Sequence, residues 1–394
     1  MKKPQKGQIA LVSVSHLIND THMGFLAVLL PYFVARWGIS LAEAGGLVTA
    51  FLAASYFGQP VFGWLSDRLG GRGFLAGGPL VGACFIGTIG VLPSFGWTFP
   101  WVIMAGLGSA AFHPAAADLA MRVGGGRSAL STSIFLMTGF LGVAIGPLEI
   151  LAVVTRFGLE SSYLTILPGA VISILLFRKV SLRKEPYTIG GALPVLSHVA
   201  EVWRPLSGLW TIVVLRNLTN GAFYSFLPLL LMERGLSVLA GGTALSVFLT
   251  FCALGGVLGG YLSDRFDRRA IIALTLMLAA LLLGVFLLTG GPLSMAFLMS
   301  GGFFLMMSGP INLVIAQEMF PAQAGLLASL MMGFAYGVGS LAIVGVGAAA
   351  DWLGMPATMA GVVAVPLIAA WLGLRLPKRG SSAQSASRPG SLLP

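Results

Sequence analysis

A carboxylate in the middle of an apolar stretch is the first feature of this sequence that could do chemistry. Asp20 lies in an apolar run at about residues 9–35, with Asn19 beside it and His16 four residues earlier. In a helix His16 and Asp20 share one face, and Asp20 falls about 18 Å along the axis, near the midplane of a bilayer. A charge at that depth costs about 2.5–3.5 kcal/mol on insertion scales, so an intramembrane Asp is a functional candidate by default. Three kinds of chemistry fit the pair. It can be a hydrogen-bonded structural contact, a protonation site facing a water-filled cavity, or part of a transition-metal site completed by His113.

Other polar residues lie at similar depth in other apolar runs. Phe112-His113-Pro114 places an imidazole beside a proline, which cannot bond the carbonyl one turn earlier and bends a helix there. Gln59-Pro60 does the same with an amide, and Asn312 follows Pro310 in a second bent run. Arg216-Asn217-Leu-Thr-Asn220 is a further cluster, and an Arg at that depth must find an anion or water. Asp20, His16, His113 and Glu149 are the candidates for carrying protons. Glu149, near the outer end of its run, is the weakest. Asn19, Gln59, His113, Arg216, Asn217, Asn220 and Asn312 are the candidates for touching a substrate.

These residues are positioned by a duplicated plan. Gly63-Trp-Leu-Ser-Asp-Arg-Leu-Gly-Gly-Arg72 recurs as Gly260-Tyr-Leu-Ser-Asp-Arg-Phe-Asp-Arg-Arg269, and at the same offset Gly24 matches Gly221, Pro31 matches Pro228, Gly38 matches Gly235 and Ser40 matches Ser237. Internal repeats of this kind point to ancestral duplication. The register sets Arg216 against Asn19 and Asn217 against Asp20. Two halves related by an axis along the membrane normal would then bring Arg216 and Asp20 to similar depth, and the expectation is that they pair when no substrate is bound.

Composition fixes the class. The 394 residues are 57% hydrophobic and 9% charged, with mean hydropathy +0.92, which excludes a water-soluble globule. Apolar runs long enough to cross a bilayer fall at about 9–35, 42–64, 74–92, 97–119, 130–154 and 160–177. A second six lie at about 206–232, 239–262, 270–289, 293–316, 326–350 and 355–375. The predicted fold is all-α, with twelve transmembrane helices in two pseudo-symmetric six-helix bundles. The bundles span 1–177 and 205–375, joined by a cytoplasmic linker at 178–204 and followed by a disordered tail at 376–394.

All of the 23 Lys and Arg residues except Arg36, Arg156, Arg216 and Arg234 fall in segments that are cytoplasmic if the N-terminus is inside. The positive-inside rule therefore predicts cytoplasmic termini. It also accounts for the net charge of +10 without a nucleic-acid partner. No cleavable signal peptide is evident, because the first run is too long and carries polar residues. Cys84 and Cys252 read as buried thiols. Gly142 and Gly146 have the small-xxx-small spacing of tight helix contacts.

The repeated loop Gly-x-Leu-Ser-Asp-Arg-x-x-x-Arg resembles the signature of the major facilitator superfamily. Within it, the chain resembles the fosmidomycin resistance family of bacterial exporters. The carriers are His16-Leu-Ile-Asn19-Asp20, Gln59-Pro60, Phe112-His113-Pro114, Gly125-Gly126-Arg127, Gly146-Pro147-Leu148, Ala316-Gln317-Glu318 and Gly333-Phe334-Ala335. The resemblance implies a proton-coupled antiporter in the inner membrane that exports a small drug-like or anionic solute by alternating access. It also implies a cytoplasmic latch built from Gly63, Asp67, Arg68, Arg72, Asp118, Arg122, Asp264, Arg265 and Arg269. Gly142-x-x-x-Gly146-Pro147 is similar to a motif of proton-coupled exporters. The expected partners are the substrate, protons and lipid. A monomer without cofactor, resident metal or enzymatic activity is expected. A proton-coupled importer of an organic acid or sugar, and a divalent metal-ion exporter, are the alternatives.

Overall fold

In the computed structural model, residues 5–180, 195–319, 327 and 329–376 are described, and no strand occurs among them. The first span is two helices, α1 (Lys6–Met23) and α2 (Phe25–Trp37), with Gly24 between them. There follow α3 (Leu41–Leu69), α4 (Arg72–Gly87), α5 (Thr98–Gly124), α6 (Ser128–Phe157) and α7 (Ile166–Lys179). The later helices are α8 (Val195–Glu233), α9 (Val238–Ser263), α10 (Arg268–Leu288), α11 (Gly291–Met319), α12 (Ala335–Leu353) and α13 (Met355–Leu374). A π-helical turn, Ser329–Phe334, leads into α12.

Among the described residues, eleven helical spans are long and apolar enough to cross a membrane. The other long helix, α8, carries Arg216, Asn217 and Asn220 in its middle. It also begins at Val195, so the last part of the expected 178–204 linker is helical and continuous with the span that follows. Residues 195–204 mix polar and apolar side chains, and hydropathy sees only the part of a helix that is apolar. The rest of the predicted linker, 181–194, and the predicted tail beyond Leu376 lie outside the described residues.

The duplicated positions have physical jobs. Gly38 and Gly235 both adopt left-handed backbone, with φ of 63° and 85°, which favours glycine. Two residues later the Ser40 and Ser237 side chains accept the backbone N–H of Glu43 and Ala240, capping α3 and α9. Gly63 and Gly260 lie against the prolines that bend α5 and α11. A Cβ on Gly63 would sit 3.7 Å from Pro114 Cβ, and one on Gly260 3.9 Å from Pro310 Cβ. Gly142 and Gly146 put α6 against the backbone of α1, where a Cβ would lie 2.3 Å from the Leu17 and Thr21 carbonyl oxygens respectively. The packing reading of that spacing therefore holds, and it sets α6 beside the Asp20 region.

The first six spans meet the last six chiefly through α3 with α12 and α6 with α9. The Asp351 carboxylate accepts both Leu41 and Ala42 N–H at 2.8 Å. Deeper in, the Thr49 hydroxyl donates to Ser340 O at 3.0 Å, and the Tyr224 hydroxyl donates to Met23 O. Tyr56 meets Tyr336 edge to face at 5.6 Å. These contacts lie towards one end of the molecule. At the opposite end Trp64, Leu69, Leu130, Ile134, Leu254, Val257 and Tyr261 are exposed.

Gly347 lets the sealed end close, since its Cβ would lie 2.2 Å from Leu41 O. Gly347→Val should lower stability by about 1–3 kcal/mol, the usual cost of overpacking. Thermal unfolding in detergent checks this, and an unchanged midpoint would mean that the contact does not hold the halves together.

Candidate functional site

Three helices converge on Asp20. From α1 itself, His16 Nε2 lies 3.2 Å from Asp20 Oδ2, and from the bend of α5, His113 Nε2 lies 3.3 Å from Asp20 Oδ1. Asn19 Nδ2 donates to Asp20 Oδ1 at 2.9 Å and to Ser109 Oγ at 3.4 Å. Both rings are anchored from behind. His16 Nδ1 donates to Phe135 O of α6 at 2.7 Å, and His113 Nδ1 donates to Ser109 O at 2.8 Å. The His16 ring stacks on Phe135 at 3.9 Å. The side chains of His16 and Asp20 are 5% and 9% exposed and that of His113 is 20% exposed, so His113 is the more accessible limb. The ligand-capable atoms of these three side chains lie within 4.8 Å of one another, close enough for small cations, protons included, to be shared among them.

Gly139, one turn beyond Phe135, leaves room for the cluster. Its Cβ would lie 2.4 Å from His16 Cε1 and 2.9 Å from Asp20 Oδ2. Gly139→Ala should therefore separate His16 from Asp20 and strongly reduce transport while the protein still inserts and folds. Transport measured beside monodispersity in detergent checks this. Full activity would show that the close approach is dispensable.

The second cluster is built on α8. Arg216 is 1% exposed, and among the described residues no carboxylate lies within ion-pair distance of it. Its Nη2 donates to Tyr336 Oη at 3.0 Å, Nη1 faces Met306 Sδ at 2.9 Å, and Nε has no partner. Gly309 of α11 leaves space beside the guanidinium, with a Cβ position 3.4 Å from Nη1. Asn312, one turn further along α11, is also 1% exposed, and neither its Oδ1 nor its Nδ2 is hydrogen-bonded. Asn217 Nδ2 donates to Tyr336 O at 2.9 Å, and Asn220 Oδ1 lies 4.0 Å from Cys252 Sγ.

The expected Asp20–Arg216 pair is not formed. Asp20 is taken by the two histidines of its own half, and Arg216 is held by Tyr336. Tyr56 packs edge to face against Tyr336 and interacts electrostatically with both Asp20 and Arg216. The repeat register fixed depth but not the direction in which each side chain points. Gln59 and Glu149 are half-buried and stand outside both clusters. His22 is structural, its ring bonded to Ile18 O at 2.8 Å and Thr165 O at 3.0 Å. Ser109, Phe135, Gly139, Met306, Gly309 and Tyr336 join these two clusters from outside the predicted set. Only Ser109, four before His113, had a sequence signal.

The predicted latch residues sit at the end opposite the Asp351 seam, and the contacts described for them join residues of the same half. Arg68 stacks on Trp64 at 4.1 Å and its counterpart Arg265 stacks on Tyr261 at 4.0 Å. Arg72 Nε donates to Phe177 O at 3.2 Å. Arg122 pairs with Asp118 at 2.7 Å, and both interact with Asp67. Arg269 pairs with Asp267 at 3.2 Å, while Asp264 is exposed. The buried Arg268, absent from the expected set, holds Glu318 with Nη2–Oε1 at 3.0 Å.

A family model described as Major Facilitator Superfamily matches residues 12–344. The chain belongs to the major facilitator superfamily. This transporter is 28% identical over 375 residues to the uncharacterized MFS-type transporter YfnC of Bacillus subtilis (strain 168), covering 91% of this chain and 90% of that one. It is also 28% identical over 364 residues to the fosmidomycin resistance protein of Escherichia coli (strain K12), covering 88% and 86%. Its fold is that of a bacterial homolog of the human lysosomal transporter Spinster, crystallised inward-facing and occupied. There the TM-score is 0.78 at 15% identity, over 95% of this chain and 97% of that one. The transporter is a multi-pass membrane protein of this superfamily.

Proposed function

We propose that the protein is a proton-coupled exporter of a small anionic solute, working by alternating access between two six-helix halves. The observation that carries this reading is a buried guanidinium with no carboxylate within ion-pair distance among the described residues, in a protein whose other half buries Asp20 between His16 and His113. A buried charge left unpaired costs several kcal/mol even after relaxation, and an anionic solute reaching Arg216 would remove that cost. Asn312, with both amide groups unbonded, offers a donor and an acceptor to the same solute. Asp20, His16 and His113 would carry the protons. Likeness to the Escherichia coli fosmidomycin resistance protein supports drug efflux.

The basic loops support cytoplasmic termini in an inner membrane. On that orientation the Asp351 seam faces outward and the end carrying Arg68 and Arg265 faces the cytoplasm, the side from which an exporter loads. Importer and exporter share the fold, and the glycine-proline motif of α6 favours export.

The test is a proteoliposome assay with a pH-sensitive dye inside and a panel of solutes outside, fosmidomycin and neutral analogues included. Anions alone should provoke a pH change. Movement of neutral solutes at constant pH would overturn the reading.

A further inference from the structure

We infer that His16, Asp20 and His113 together hold two protons in this conformation, with His16 as the fixed limb and His113 as the limb that opens. A backbone carbonyl can only accept, so the Nδ1 atoms 2.7 Å from Phe135 O and 2.8 Å from Ser109 O each carry a hydrogen. This leaves Nε2 of each ring facing the carboxylate. An unprotonated Nε2 is an acceptor, as is every oxygen of an ionised Asp. In the metal-free protein the contacts at 3.2 and 3.3 Å would then oppose lone pair to lone pair unless a proton lies in each. Asn19 Nδ2 also donates to Oδ1 but supplies no proton to either ring. Two contacts therefore require two protons, whether both rings are charged or one proton sits on the carboxyl. In either arrangement the cluster carries one positive charge, and losing a proton makes it neutral.

The two limbs are not equivalent. His16 is stacked on Phe135 and closed in by Gly139, whereas His113 is the more exposed ring and sits at the Pro114 bend. Loss of a proton makes one contact repulsive, and only His113 has room to withdraw. Among the described residues these three side chains form no other ion pair. Beside α1, α6 presents Gly139 and Phe135 and carries Glu149 ten residues beyond Gly139. The charges of α4 and α7, Arg72, Arg178 and Lys179, are at helix ends, as are Glu43, Asp67 and Arg68 of α3; Asp118 of α5 pairs with Arg122, and Tyr56 of α3 interacts with Asp20. His22 on α1 is bonded elsewhere.

The count itself stands on geometry; its consequence, that up to two protons serve each cycle, rests on the proton-coupled reading above. The chain has only four histidines, so 15N NMR of the histidine-labelled full-length protein in detergent can follow His16 and His113. The protonated-carboxyl infrared band, assigned by its loss in Asp20→Asn, supplies the third term. At pH 7.5, about one unit above an unperturbed imidazole, and with a chelator present, the three groups should together hold two protons beyond the two Nδ1 hydrogens. His113→Gln should reduce that number to one. A total of one or zero in the unaltered protein overturns the inference. The dye assay is independent of this count. Proton movement with a total of one would leave the coupled reading standing, and a total of two without proton movement would remove the coupling alone.

Discussion

Asp20→Asn should abolish solute-dependent proton movement while leaving a folded, inserted protein. Asn keeps the shape of Asp and can still accept from Asn19 and donate to one Nε2, so packing at the α1, α5 and α6 junction survives. What it removes is the negative charge that makes two shared protons favourable beside two anchored imidazoles. One elementary charge driven through 100 mV is worth about 2.3 kcal/mol, roughly a fifty-fold solute gradient. The variant should equilibrate the solute without accumulating it, so the steady-state gradient falls from about that figure to unity. Counterflow in proteoliposomes with and without an imposed potential measures this. A variant that still concentrates solute would make Asp20 a structural residue and move the coupling elsewhere.

Arg216→Met is expected to act in opposite directions on stability and on transport. The guanidinium is 1% exposed with Nε unbonded, and Nη1 faces a thioether, a weak acceptor. Replacing a buried, unpaired charge by an apolar side chain of similar length removes a desolvation penalty of several kcal/mol. Thermal unfolding should therefore shift upwards. Anion transport should fall at the same time, because a charge-assisted hydrogen bond is worth about 1.5–3 kcal/mol, roughly tenfold to a hundredfold in affinity. A residue that were merely structural would lose stability on this change. A lower melting temperature with normal transport would remove Arg216 from the substrate site.

Asp20 and Arg216 both announced themselves in the sequence, because charges at bilayer depth are costly enough that chance rarely leaves them there. The twelve spans were legible for a related reason. Water is absent from the bilayer core, so backbone polar groups must bond internally and the apolar run itself marks the helix. The capping residues Ser40 and Ser237 and the left-handed Gly38 and Gly235 could be matched by register alone, since their jobs are local. The start of α8 could not, because its polar first turns carry no hydropathy signal.

The sequence alone therefore determined the class, the spans, the duplicated plan and the short list of ionisable residues, all of which follow from solvation and local backbone chemistry. Tertiary structure decided the partners. Asp20 could have faced Arg216 or His113, and which it met depended on the azimuth of α1 against α5 and α6. That azimuth is set by backbone contact at Gly142 and Gly146 and by the space left at Gly139. Tyr336 entered the site from more than a hundred residues away in the chain, positioned by the seam between α3 and α12. Such contacts depend on how whole helix faces fit together, and no spacing within one helix encodes them.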